Sequence, residues 1–175
     1  AILRMGVPVS PRNIFPSNIQ GLPTWYEVRV TEKGYLGRRG GVDMMVAMNP
    51  QTWAEDVKEI EPGGYLFYDN TKPLPKSKFR DDIHVIGMPL TEICNATYTD
   101  ARERQLFKNI IYVGALAGML GIEPEVIAEL IGEQYKGKEK LLKPNLNALQ
   151  MGLNFAKEHL KDSCGLRVRR AYNVG

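Results

Sequence analysis

Short apolar runs separated by turn residues fill the first half of the chain, a pattern typical of strands. Residues 42–48 are almost continuously apolar, as in a strand that is buried on both faces of a parallel sheet. Asn49 and Pro50 are typical first residues of a helix, and residues 65–69 and 83–88 are the next strand candidates. This order of strand, helix and strand predicts a parallel sheet.

The amino-terminal part is predicted to contain two strands joined by a long connection. Residues 7–9 are a short strand candidate, and residues 10–24 are predicted to form a long polar loop. Residues 25–30 alternate with period two and are rich in aromatic and β-branched residues, so they are predicted as a strand. A basic, glycine-rich turn follows at residues 37–41, and residues 62–64 are predicted to end the first helix before the next strand.

From about residue 99 onward, apolar residues recur at spacings of three and four, which predicts helices. The first helix of this second half is predicted to end at Gly121, and the next to begin at Pro124. The third is predicted to begin at Pro144 and to end at Gly165.

Two glycines in the first long helix indicate how the helices pack. Gly114 and Gly118 lie one helical turn apart, which favours close contact with a neighbouring element. Together with the strand pattern, this predicts an α/β fold with a doubly wound, mostly parallel sheet that has helices on both faces, a Rossmann-like arrangement.

The composition is that of one ordinary globular domain. The chain has 175 residues, of which 43% are hydrophobic, enough for one core and too few for two comfortable domains. This content excludes a disordered chain, and no apolar run reaches the length of a membrane-spanning helix. The net charge of +3 arises from nearly balanced charges, so nucleic acid is not indicated as a partner.

The cysteines and histidines indicate no catalytic or metal centre. Cys94 and Cys164 lie far apart, which excludes a disulfide scaffold, a zinc ribbon or a four-cysteine iron–sulfur cluster made by this chain alone. We predict reduced, buried thiols in a cytoplasmic protein. His84 lies within a predicted strand and His159 in the last turn of a predicted helix, so neither indicates a nucleophile–base pair.

Two sets of polar residues are candidates for ligand binding. The turn at residues 37–41 carries Arg38 and Arg39, whose guanidinium groups can bind phosphate in bidentate fashion, and a solvated hairpin turn is the alternative. The second set offers a hydroxyl and two amides beyond a strand, and ordinary turn chemistry is the alternative. Its members are Ser17, Asn18 and Gln20.

Two residue pairs stand at the predicted carboxyl ends of parallel strands, the edge where open α/β sheets bind ligands. They are Asn49-Pro50 and Asp69-Asn70, and helix caps or turns are a sufficient explanation for each. A dinucleotide dehydrogenase is disfavoured, because the glycines at residues 37–41 precede a strand, whereas the dinucleotide-binding glycines lie between a strand and a helix.

Six segments of the chain follow one another in an order and spacing typical of a known family. They are residues 16–30, 34–39, 42–49, 63–69, 108–118 and 145–152. These segments resemble the gamma domain of 2-oxoacid:ferredoxin oxidoreductases, and the resemblance covers about residues 1–160. It is closest to the alpha-subunit form, in which a gamma domain precedes a thiamine-site domain, and most like 2-oxoglutarate:ferredoxin oxidoreductase.

The resemblance implies a part of an enzyme that decarboxylates 2-oxoglutarate or a related 2-oxoacid and passes electrons to ferredoxin. It implies thiamine diphosphate, a 4Fe–4S cluster and coenzyme A in the whole complex, none of them bound by this chain alone. The implied partners are the thiamine-binding subunit or domains of the same enzyme in a hetero-oligomer, and ferredoxin through that complex. Neither nucleic acid nor a membrane is implied. A non-catalytic nucleotide-binding or assembly module is the alternative.

One difference from the family affects the expected site. The family's domain begins with a strand and a Gly-x-Gly-Gly-Gln-Gly loop, which binds phosphate at a helix start. This chain is expected to lack both, so residues 1–165 are predicted to be an amino-terminally truncated gamma-type domain and residues 166–175 a basic tail or linker. The implied site then reduces to Ser17, Asn18, Gln20, Arg38 and Arg39, with no catalytic residue. The truncation would expose a sheet edge, so we expect the chain alone to be poorly stable or to associate.

Overall fold

The computed structural model describes residues 9–14, 25–30, 42–47, 53–72, 80–161 and 164–165. It contains five strands and five helices within these ranges. In chain order they are β1 (Val9–Ile14), β2 (Trp25–Val30), β3 (Val42–Ala47), α1 (Trp53–Lys58), β4 (Ile60–Asp69), β5 (His84–Met88), α2 (Leu90–Thr97), α3 (Ala101–Leu120), α4 (Pro124–Gln134) and α5 (Glu139–His159).

The three central strands form a parallel sheet in the order β3-β4-β5. Met45 pairs with Leu66 across the first ladder, and Phe67 pairs with Ile86 across the second. Helix α1 connects β3 with β4, and helices α2 to α5 follow β5, an arrangement typical of an open α/β sheet. The predicted parallel α/β fold is therefore confirmed.

Helices cover both faces of this sheet. On one face, Phe67 of β4 packs in a buried cluster with Leu90 of α2, Ile111 of α3 and Ala148 of α5. On the other face, Leu66 packs with Val57 of α1. Successive residues of one strand thus enter two different cores, which is why residues 44–47 of β3 and 65–68 of β4 are apolar without alternation.

Helices α3 and α5 cross in backbone contact through two glycines. A Cβ placed on Gly152 would lie 2.9 Å from the Cα of Gly114 and 2.7 Å from the nitrogen of Ala115, closer than real side chains approach. One turn further along both helices, a Cβ on Gly118 would lie 2.6 Å from the Cβ of Ala156. The contacts advance together, so the two helices run in the same direction, and the predicted close packing at Gly114 and Gly118 is confirmed.

The amino-terminal prediction is wrong in part. Residues 10–14, predicted as loop, belong to β1, which pairs antiparallel with β2 from Val9 opposite Val30 to Ile14 opposite Trp25. These strands form a separate two-stranded sheet. The sequence of β1 is polar and contains proline, so it does not indicate a strand by itself. The segment forms a strand by pairing with β2, which comes later in the chain.

The start of β4 also differs from the prediction. Residues 62–64 lie within the strand rather than before it. The partners of β3 jump from Ile60 to Tyr65 across this stretch, and Gly63 adopts a φ of 82°. A glycine in this conformation allows the strand to bulge and continue, so the Pro-Gly-Gly sequence is an irregularity within a strand.

Two helix boundaries were predicted incorrectly. Helix α5 begins at Glu139, so Pro144 lies inside it, and the helix ends at His159 rather than at Gly165. Helix α2 was not predicted at all. By contrast, α3 ends at Gly121 in the left-handed conformation, with φ 72°, and α4 begins at Pro124, both as predicted.

Candidate functional site

The carboxyl edge of the parallel sheet carries a cluster of connected polar side chains, here called the Asp69 network. Its members are Asp69 at the end of β4, Thr71 just after it, Thr91 in the first turn of α2, and Lys108 in α3. The carboxyl ends of β4 and β5 meet at this edge, and β5 leads into α2 within two residues. The fold therefore brings together residues that are far apart in the chain.

The carboxylate of Asp69 is the acceptor at the centre of the network. One oxygen accepts hydrogen bonds from the backbone nitrogen and the hydroxyl of Thr71, at 3.1 and 2.7 Å. The other accepts from the backbone nitrogen of Thr91, at 3.2 Å, and from the Thr91 hydroxyl. The side chain of Asp69 is only 12% exposed, so these bonds replace most of its contact with water.

This carboxylate closes the amino end of α2. The residue before the helix is Pro89, whose side chain makes no capping hydrogen bond. Asp69 instead accepts from the nitrogen of Thr91, and the Thr71 hydroxyl accepts from the nitrogen of Glu92 at 3.1 Å. A negative charge at this position also interacts favourably with the positive end of the helix dipole.

Lys108 completes the network from α3. Its ammonium nitrogen lies 3.5 Å from a carboxylate oxygen of Asp69 and donates a hydrogen bond of 3.2 Å to the Thr91 hydroxyl. Burial raises the pKa of Asp69, but the hydrogen bonds from Thr91 and Thr71, together with the charge of Lys108, lower it by more. The carboxylate is therefore strongly favoured in its charged form.

The Asp69 network has the chemistry of a structural clamp. A carboxyl group with a lowered pKa is a weak general base, and the hydroxyls of Thr71 and Thr91 both donate to it. Nearby Cys94 is buried, and burial raises the pKa of its thiol, so the thiol is protonated near neutral pH and a poor nucleophile. The network joins β4, α2 and α3 at the edge where a ligand would bind.

The opposite edge of the sheet has its own clamp. Arg80 donates to the backbone oxygens of Val57, at 2.9 Å, and Ile60, and its remaining nitrogens bind the carboxylate of Asp82 at 2.9 and 2.7 Å. The cation thereby closes the carboxyl end of α1 and fixes the start of β4. The guanidinium is used in these bonds, so the open cleft beside it is a weak candidate for ligand binding.

The predicted site residues could not be placed. Ser17, Asn18, Gln20, Arg38 and Arg39 lie outside the described residues, so their role in ligand binding remains a prediction. The sequence did locate Asp69 at the ligand-facing edge, but it missed Thr71, Thr91 and Lys108. Thr71 is only two residues from Asp69, but Thr91 and Lys108 lie on two different helices. The pairing of β4 with β5 brings Thr91 to Asp69, and α3 brings Lys108.

Both histidines lie beside aromatic rings. His84 stacks on Tyr65 with 4.9 Å between ring centroids, and His159 packs against Phe155 at 4.8 Å. Cys94 and Cys164 are both buried, as predicted, and neither is part of a disulfide. Across the described ranges, no three His, Cys, Asp or Glu side chains come together as metal ligands, and no helix is long and apolar enough to span a membrane.

Comparison with known families identifies the chain. The sequence profile of the pyruvate ferredoxin/flavodoxin oxidoreductase family matches residues 1–155. The chain belongs to this family.

Two curated family members show how much of a longer protein the chain represents. It is 23% identical to subunit alpha of 2-oxoacid:ferredoxin oxidoreductase 2 from Aeropyrum pernix, over 90% of this chain and 30% of that protein. It is 29% identical to the ketoisovalerate oxidoreductase subunit VorA of Methanothermobacter thermautotrophicus, over 68% of this chain and 24% of that protein. The chain thus spans less than a third of the length of these relatives.

Two solved structures share the fold of this chain. The 2-oxoglutarate:ferredoxin oxidoreductase of Magnetococcus marinus, solved with 2-oxoglutarate, coenzyme A and succinyl-CoA bound, matches 98% of this chain and 29% of its own, with a TM-score of 0.81 and 23% identity. The gamma subunit of a keto/oxoacid ferredoxin oxidoreductase from Geobacter sulfurreducens matches 90% of this chain and 88% of its own, with a TM-score of 0.65 and 16% identity. The fold is therefore that of a gamma subunit.

Proposed function

We propose that this chain is the gamma-type domain of a 2-oxoacid:ferredoxin oxidoreductase. In that reaction the bond between the carboxylate carbon and the keto carbon of the oxoacid breaks and CO2 leaves. The acyl carbon forms a thioester with the sulfur of coenzyme A, the thiol proton is released, and two electrons pass to two ferredoxins. The main support is the family match over residues 1–155, because it covers most of the chain.

Within that enzyme, we propose that the chain serves as a scaffold and carries no catalytic residue. The Asp69 network supports this role, since it uses hydrogen bonds and an ion pair to fix the ligand-facing edge of the sheet. Thiamine diphosphate supplies the carbanion chemistry and a 4Fe–4S cluster the electron transfer, and both are assigned to partner domains. The residues of this chain position the coenzyme and the neighbouring domains.

For coenzyme A, we propose binding by the basic turn that contains Arg38 and Arg39, with Ser17, Asn18 and Gln20 beside it. Guanidinium groups bind phosphates through paired hydrogen bonds, and hydroxyl and amide groups suit the polar atoms of a nucleotide. The donor chemistry of these five residues therefore fits the coenzyme. The proposed substrate is 2-oxoglutarate, with related 2-oxoacids as alternatives.

The proposed assembly is a cytoplasmic hetero-oligomer. The names of several relatives identify them as single subunits of enzymes, such as the ketoisovalerate oxidoreductase subunit VorA of Methanothermobacter thermautotrophicus and the 2-oxoglutarate synthase subunit KorC of Archaeoglobus fulgidus. By analogy, the partners of this chain are the thiamine-binding subunit or domains of its own enzyme and, through the complex, ferredoxin. The domain is proposed to cover residues 1–165, with residues 166–175 as a basic tail or linker.

Turnover of the complete complex tests the proposed function. The complex that contains this chain would be purified without oxygen and supplied with methyl viologen, an oxoacid and coenzyme A. We expect viologen reduction that requires both substrates and is fastest with 2-oxoglutarate among 2-oxoglutarate, pyruvate and 2-oxoisovalerate. A complex loaded with thiamine diphosphate and iron that reduces viologen with none of these oxoacids would contradict the proposal.

The alternative function is a non-catalytic nucleotide-binding or assembly module with the same fold. The same preparation distinguishes the two functions. A module would purify without a thiamine-binding chain, show no visible absorbance from iron and sulfur, and bind a nucleotide without turnover. Co-purification with a thiamine-binding chain favours the enzyme instead.

A further inference from the structure

Four exposed lysines surround the start of α5, and we call them the lysine cluster. They are Lys136, Lys138, Lys140 and Lys143. Between residues 136 and 143 the only acidic residue is Glu139, so this short segment carries a net charge of +3. The whole chain also has a net charge of +3, so the rest of the sequence is neutral on balance. Residues 72–80 and 166–170 are also basic, and acidic residues elsewhere in the chain offset their charge, so the segment at residues 136–143 is one basic segment among several, with lysines that the structure describes as exposed.

The lysine cluster works against the helix that carries it. Helix α5 is 21 residues long, and its amino end already has the positive pole of the helix dipole. Acidic residues stabilise such a position and lysines destabilise it. Lys138, the residue that precedes the helix, also makes no side-chain capping hydrogen bond. Helix stability therefore gives no reason for the cluster, and a locally unfavourable sequence of this kind is expected at a functional surface.

The surface chemistry of the cluster suits a transient protein partner. The buried cores of protein interfaces are depleted in lysine and enriched in arginine and aromatic residues, whereas the positive charges of this cluster are all lysines, which suit a solvated contact. A lysine ammonium is a compact, strongly hydrated charge, which accelerates and orients an encounter more than it tightens a complex. Leu141 is 41% exposed among the lysines and provides a small apolar contact at the centre. The neighbouring aromatic residue, Tyr135, is half-buried, so the surface offers no exposed ring for stacking with nucleic-acid bases.

The position of the cluster also fits a docking surface. Helices α3 and α5 run in the same direction, and Lys108 places the first half of α3 at the carboxyl edge of the sheet. The start of α5 therefore lies toward that same edge, beyond the Asp69 network. This is the edge at which open α/β sheets bind ligands.

We infer that the lysine cluster, with Leu141, is the docking surface for an acidic electron-carrier protein of the ferredoxin or flavodoxin kind. This inference rests on the proposed function, and the name of the family mentions both carriers. Opposite charges steer such a carrier toward the enzyme and orient it before a brief contact. Small interfaces and fast release are typical of electron-transfer encounters.

A charge-reversal variant of the complete complex tests this inference. Lys138→Glu with Lys140→Glu changes the net charge of the chain from +3 to −1, and Lys157→Glu with Lys161→Glu makes the same change at the other end of α5. We expect the first variant to raise the KM for an acidic ferredoxin about tenfold at low salt, and the control to change it little. Added salt should raise the wild-type KM and have less effect on the first variant.

Two further readouts separate docking from folding and from the reaction. Glutamates at the positive end of a helix are favourable, so the melting temperature of the first variant should not fall. Turnover with methyl viologen, a small cation that needs no docking surface, should be equal in all three proteins. A wild-type complex without oxoacid-dependent viologen reduction would contradict the proposed function itself. Normal viologen reduction with an equal ferredoxin KM in both variants would overturn the docking surface alone.

Other occupants of the cluster would give different results. Helix α4 exposes Glu125, Glu129 and Glu133, so the acidic face of a second copy could bind the lysines. A change in sedimentation of the first variant, with no change in the ferredoxin KM, would show that the cluster joins two copies and overturn our inference. Loss of binding to anionic phospholipid vesicles or to RNA, again without a KM effect, would also overturn it.

Discussion

Asp69 caps the helix that contains Thr91, although the two residues are 22 positions apart in the chain. The same carboxylate oxygen accepts both the backbone nitrogen and the hydroxyl of Thr91. Pro89, the residue before that helix, offers no capping side chain. The end of one strand therefore determines where the next helix begins, and Lys108 fixes the long helix α3 to the same carboxylate.

Replacement of Asp69 should destabilise the domain. Asp69→Asn keeps the shape of the side chain but removes the charge, and it turns one acceptor oxygen into a donor that faces a hydroxyl or a backbone nitrogen. We expect the free energy of unfolding to fall by about 2 kcal/mol, since hydrogen bonds to charged groups contribute about that much. Urea unfolding of both proteins measures the difference. Asp81→Asn, at an exposed position, is the matched control and should change stability by less than about 0.5 kcal/mol.

The contribution of Asp69 should disappear in acid. Its pKa in the folded domain is lowered from the ordinary value of 3.8. A lowered pKa gives stability that is fully present above the ordinary value and is lost as the pH falls through the folded value. The stability difference between the wild type and Asp69→Asn should therefore be constant near neutral pH and shrink below about pH 4. A difference that stays the same down to about pH 2 would show that the charge of Asp69 contributes nothing.

The core of the fold could be predicted because its signals are local. The apolar run of β3, the spacing of α3 and the stop at Gly121 each depend on residues close together in the chain. Helix α2 has only eight residues and takes its cap from Asp69, so its sequence lacks a start signal. Pro144 suggested a helix start, since proline is common in the first turn, but α5 begins earlier.

The candidate site could be predicted only as a location. The order of strands placed Asp69 at the carboxyl edge, where ligands bind in such sheets. Its partners Thr91 and Lys108 lie on two different helices, and threonine and lysine are common on any helix surface. A sequence pattern cannot select them without the strand register. The lysine cluster likewise could not be predicted from the sequence, because its position at the amino end of a helix depends on where α5 begins.

The crossing of α3 and α5 should not tolerate a side chain at Gly152. Gly152→Ala places a methyl group against the backbone of Ala115 and Gly114, and backbone atoms cannot move aside as a flexible side chain can. We expect a loss of more than about 3 kcal/mol, or failure to fold, because overpacking here separates the two helices. Gly132→Ala is the control, as its Cβ would meet nothing within 4 Å. That variant should be as stable as the wild type or up to about 1 kcal/mol more stable. Equal melting temperatures for the two variants would contradict the close crossing.

Arg38 and Arg39 should control the affinity for coenzyme A in the complete complex. If both guanidinium groups bind phosphates, Arg38→Ala with Arg39→Ala should raise the KM for coenzyme A about tenfold or more, since each charged hydrogen bond contributes about 1.5–3 kcal/mol. The kcat at saturating coenzyme A should change little, because these groups do not contact the bond that breaks. Viologen reduction at varied coenzyme A concentrations measures both constants. Arg102→Ala, at an exposed position of α3, is the control for the loss of a surface arginine and should leave the KM unchanged. If the double variant also has a normal KM, the turn at residues 37–41 is an ordinary solvated turn, and the coenzyme is bound elsewhere.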